Sequence, residues 1–78
     1  MRTAALKSSL LESAAYQDPL ALLELRFAGG AAYRYFRVPA PIYEELLRAE
    51  SKGAYFNYHI RNRFACVKLP VAGPTGDS

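Results

Sequence analysis

Between Leu23 and Phe27 apolar and polar residues alternate: Leu23, Leu25 and Phe27 point one way, Glu24 and Arg26 the other. A period of two is that of a strand with one buried face, and it predicts a strand over 20–27 despite leucine's helical preference. Ala28-Gly29-Gly30 comes next, and glycine enters the φ > 0 backbone of a hairpin turn without steric cost. The run Ala31–Val38 carries Tyr33, Tyr35, Phe36 and Val38. Aromatic and β-branched side chains suit a pleated surface, so 31–38 reads as another strand. Its alternation is mixed, with Tyr33 and Tyr35 on one face and Phe36 and Val38 on the opposite one. Either both faces are partly covered, or a bulge near Tyr35 and Phe36 switches the alternation. The earlier run Ser9–Gln17 is ambiguous between helix and strand and ends at Asp18-Pro19, a turn dipeptide. A strand over 10–17 completes a three-stranded antiparallel meander.

After Pro39 the period lengthens. Pro41 sits where a first helical turn tolerates proline, and Ile42, Tyr43, Leu46 and Leu47 form the apolar stripe of a helix over 41–50. Glu44 and Arg48 are an i, i+4 pair on it. Gly53 reads as the helix stop. Phe56, Ile60 and Phe64 then recur every fourth residue, the spacing of one buried face, in a second helix over 54–63. Residues 65–69 fit either a short final strand or an extended arm. The expected architecture is α+β: a meander followed by two short helices packed on one face. One domain spans 8–69, with flexible termini at 1–7 and 70–78, and Leu23, Leu25, Phe27, Leu46, Phe56 and Ile60 form its core.

Composition narrows the chemistry. The 78 residues include one Cys and one His, which leaves no internal disulfide and too few ligands for a metal site. A Cys66–His59 nucleophile pair has no third orienting group marked, and Cys66, between Ala65 and Val67, reads as a small buried hydrophobe. The expectation is therefore a protein that is not an enzyme and uses no cofactor. Apolar stretches such as Pro19–Leu23 fall far short of the ~20 residues that span a bilayer. The first residues lack the apolar region of a signal peptide. Cytoplasm is the default compartment, with no membrane partner.

Charge and aromatic residues are distributed together. Residues 26–37 contain Arg26, Arg34 and Arg37 without an acid, and residues 52–68 contain Lys52, Arg61, Arg63 and Lys68 without an acid. Both segments are rich in tyrosine. Arginine interleaved with aromatic rings suits single-stranded RNA, because rings stack on bases while guanidinium groups hold phosphates. Against this, a strand needs aromatics for its core, arginine is an ordinary surface residue, and a net charge of +3 is a weak basic footprint. The candidate nucleic-acid-binding residues are Tyr33, Arg34, Tyr35, Arg37, Tyr55, Tyr58, Arg61 and Arg63. The alternative is a protein-interaction module that uses the open sheet face or an edge strand.

Several short motifs occur in a recognisable order: Tyr33-Arg34-Tyr35, Val38-Pro39, Ile42-Tyr43-Glu44, Ser51-Lys52-Gly53-Ala54-Tyr55-Phe56-Asn57 and Ile60-Arg61. Together they resemble the KTSC domain, a family named for an appendage at the C-terminus of some lysyl-tRNA synthetases and found also as a stand-alone bacterial protein. The resemblance covers roughly Ser8 to Lys68. It implies RNA, single-stranded or structured, as a partner through the synthetase context, and it brings no catalytic residues.

Overall fold

A computed structural model of the chain describes residues 1–70. Five strands form one antiparallel sheet in the order β1-β2-β3-β4-β5. They are β1 (Arg2–Ala5), β2 (Leu11–Gln17), β3 (Leu22–Phe27), β4 (Ala32–Tyr35) and β5 (Cys66–Leu69). The helices α1 (Ala40–Arg48) and α2 (Lys52–His59) lie between β4 and β5 in the chain. The class is α+β, but four strands precede the helices instead of three.

The additional strand is β1, within a segment expected to be a flexible terminus. Thr3-Ala4-Ala5 offers little apolar surface, so burial alone does not explain its order. Arg2 does. Its guanidinium donates to Asp18 at 2.5 and 3.0 Å and to Glu44 at 3.2 Å. It also lies 5.4 and 5.3 Å from the ring centroids of Tyr16 and Tyr43. Those two rings stack on each other at 5.3 Å. Ion pairs, cation–π contact and β2 ladder bonds together hold the edge.

A bulge in β2 explains its ambiguous pattern. The register with β3 passes from Leu11↔Phe27 to Ser13↔Arg26, which leaves Glu12 as an extra residue. The bulge turns Leu11 to the same face as Ala14 and Tyr16, and all three are buried. The glycine turn forms as expected between β3 and β4. Gly29 and Gly30 have φ of 100° and 104°, and the Phe27 amide donates to the Ala31 carbonyl at 2.7 Å. β4 stops at Tyr35, earlier than position 38. Arg37 adopts φ 58°, and this left-handed step turns Val38 into the core while Phe36 stays outside it.

The helices begin two residues or less from their expected starts. Ser51 caps α2 by accepting from the Ala54 amide at 3.2 Å, so Gly53 lies inside that helix and is not a stop. A Cβ at Gly53 would sit 3.5 Å from the Leu10 side chain. Glu44 faces Arg2 instead of Arg48. The core lies between the inner sheet face and the helices, where Leu23, Leu25, Leu46, Phe56 and Ile60 are buried as expected. Phe27 is only half-buried at its edge. Leu6, Leu11, Ala14, Tyr16, Tyr35, Val38 and Tyr43 complete it. Of residues 65–69, Cys66–Leu69 form edge strand β5, and most of the expected C-terminal tail lies outside the described residues. Among the described residues, no helix is long and apolar enough to cross a membrane.

Candidate nucleic-acid interface

The tyrosines of β4 face inward. Tyr35 is buried, and Phe56 meets its ring edge-on at a centroid distance of 6.0 Å. Burial pushes its phenol pKa up to about 12. Tyr33 is half-buried, packs against the core and meets Phe27 edge-on at 5.7 Å. Tyr55 donates from its hydroxyl to Glu45 Oε1 at 2.8 Å, and its ring lies 4.4 Å from that of His59 at a tilt of 31°. Desolvation, together with that hydrogen bond, raises its pKa to about 12. Of the four candidate tyrosines, Tyr35 has no ring face left for a ligand, and Tyr33 and Tyr55 are engaged in packing. Tyr58 alone is widely exposed, at 73%.

The arginines divide in the same way. Arg34 points to the outer sheet face, where it forks onto Glu24 Oε2 at 2.7 and 3.1 Å. Arg37, Arg61 and Arg63 are exposed, and no carboxylate pairs with them among the described residues. Arg61 approaches Asn57 Oδ1 at 3.5 Å, and Arg63 donates from Nε to the Tyr58 carbonyl at 3.2 Å. The end of α2 and the β4–α1 turn thus present unneutralised guanidinium groups beside an exposed tyrosine. Arg37 and Arg63 also line one cleft with Phe36, Phe64 and Ala65. The two phenylalanines were outside the expected site. The outward place of Phe36 beside Arg37 in the β4 alternation is the signal that marks it.

The outer sheet face is lined by small residues, Thr3, Ala5, Ser13, Ala15 and Ala32, around Glu24 and Arg26. Among the described residues, no helix covers them. Cys66 is exposed on β5 and not buried, because the edge strand has no layer over it. Among the described residues, no three His, Cys, Asp or Glu side chains come together.

The KTSC domain model matches residues 7–64. A protein of Tsukamurella paurometabola is 43% identical over 63 residues, which cover 81% of this chain and 94% of that one. A lysine–tRNA ligase of Nostoc sp. is 38% identical over 63 residues, again 81% of this chain but 11% of the ligase. The crystal structure of a KTSC domain protein from Yersinia pestis superposes with a TM-score of 0.85 at 29% identity, covering 88% of this chain and 97% of that one. With a family model matched over residues 7–64, which include β2 to β4 and both helices, this chain belongs to the KTSC domain family.

Proposed function

We propose that this protein is a non-enzymatic binding module that takes RNA on the surface formed by the end of α2 and the β4–α1 turn. The observation that carries the reading is the group of exposed arginines, Arg37, Arg61 and Arg63, without carboxylate partners among the described residues. Each places a planar, permanently charged donor fork where phosphate oxygens can reach it. Tyr58, whose carbonyl accepts from Arg63, adds an exposed ring. A relative named for its action on tRNA, the Nostoc lysine–tRNA ligase, contains a similar segment, which supports RNA as the polyanion. Arg34 and Tyr35 drop out of the contact set, the first neutralised by Glu24 and the second buried.

The test is a titration of fluorescently labelled single-stranded RNA at two salt concentrations, read by anisotropy. Binding should weaken steeply with salt, because it releases counterions from the RNA and a saltier solution makes that release less favourable. Arg61→Ala and Arg63→Ala should each reduce the salt slope by about one unit per lost phosphate contact. Absence of binding at low salt would overturn the RNA reading. The uncovered outer sheet face would then stand as the surface of a protein-interaction module.

A further inference from the structure

The cleft beside Arg37 has features that a general basic surface does not require. Its walls are Phe36 and Arg37 on one side and Arg63, Phe64 and Ala65 on the other. A backbone hydrogen bond joins the walls, with the Phe36 amide donating to the Ala65 carbonyl at 2.9 Å. The Arg63 amide is tied to the Ile60 carbonyl at 3.0 Å, and Val38, just beyond Arg37, is tied to Ala21 at 2.9 Å. The cleft is therefore built on anchored backbone. It is open to solvent and has a volume of about 510 Å³.

Its side chains are as specific as its frame. Phe36 is half-buried, yet it is not among the residues that pack on the core, and it pairs with no other aromatic ring among the described residues. Phe64, by contrast, leans on the core and forms a fixed wall. Two guanidinium groups and no carboxylate line the space. Arg37 also holds φ 58°, and Asn62, next to the second wall, holds φ 61°. A left-handed backbone is costly for an arginine, and glycine would adopt it freely. The Arg37 side chain is exposed and, among the described residues, makes no ion pair that would repay the conformation. Strain of this kind collects where a ligand uses the residue.

We infer that this cleft is a single-nucleotide subsite, in which one unpaired base stacks on Phe36 while its flanking phosphates bind Arg37 and Arg63. The inference rests on the RNA reading above and makes it narrower. A phenylalanine ring presents no donor or acceptor to a base edge, so the subsite accepts different bases. A base inside a duplex has both faces covered by its neighbours, so the subsite selects unpaired strands and loops.

The experiment follows amide resonances by NMR during titration with a short single-stranded oligoadenylate, and separately with a blunt RNA duplex of equal charge. The expected result is a localised shift of Phe36, Arg37, Phe64 and Ala65 with the single strand and none at those amides with the duplex. Phe36→Leu should weaken single-strand binding about 5- to 100-fold, the loss of one stacked base, while leaving the salt slope unchanged. Arg37→Gly relieves the left-handed strain, so its Tm should equal or exceed that of the parent while its affinity and salt slope both fall. Wild-type affinity in Phe36→Leu, or equal shifts with the duplex, would overturn the subsite and leave the broader RNA reading standing. No binding of either RNA at low salt would overturn both.

Discussion

Tyr35 places a phenol in the core, and this couples stability to alkaline pH. Its ordinary pKa is near 10, and burial raises the folded value to about 12. Burial also shifts Tyr16 and Tyr43 upward. Below pH ~10 both folded and unfolded chains keep the Tyr35 proton, and the buried neutral phenol contributes fully. Between about 10 and 12 the unfolded chain releases the proton that the folded chain still holds, so stability falls as pH rises. Urea midpoints measured across this range should decline, and Tyr35→Phe should decline less steeply. An equal decline in that variant would assign the effect to the other tyrosines. That Tyr33 and Tyr35 share one face was legible in the strand alternation. Its consequence for binding was not, because alternation assigns a face without saying which face the helices cover.

At the scale of the element, β1 depends on one side chain. Arg2 connects the first strand to the β2–β3 turn through Asp18 and to α1 through Glu44. Both carboxylates raise its pKa, the Asp18 hydrogen bond most strongly, so the pairing favours the charged guanidinium at any working pH. Arg2→Ala should speed amide hydrogen exchange selectively in residues 2–5 and leave β3 and β4 protected. Uniform loss of protection would mean that β1 is part of the folding unit and not an edge held by its anchor. Sequence reasoning missed this strand because each of its partners is remote in the chain. The same remoteness redirected Glu44 from the expected Arg48 to Arg2. The β3–β4 hairpin lay within reach of sequence because its glycines and alternation are local.

At the scale of the molecule, Phe56 joins the two layers. Its ring meets Phe27 at 5.2 Å and Tyr35 at 6.0 Å, both edge-on, which ties α2 to β3 and β4. A single small core has little excess stability, of order 0.05–0.15 kcal/mol per residue. Phe56→Ala should therefore lose about 3–5 kcal/mol, read as a large drop in urea midpoint without a rise in slope. A loss below about 1 kcal/mol would mean that α2 is not held by this contact.

Local pattern alone determined the class, the hairpin, both helices and part of the inner core. Period, turn chemistry and capping act over a few residues, and they are written contiguously. Tertiary structure decided the fourth strand of the meander and the bulge at Glu12. It also decided which arginines were neutralised. Arg34 and Arg37 are three residues apart in similar surroundings, yet one faces Glu24 across the sheet and the other opens onto a cleft with no acid. Charge pairing depends on distance in space, and a sequence lists its charges without those distances.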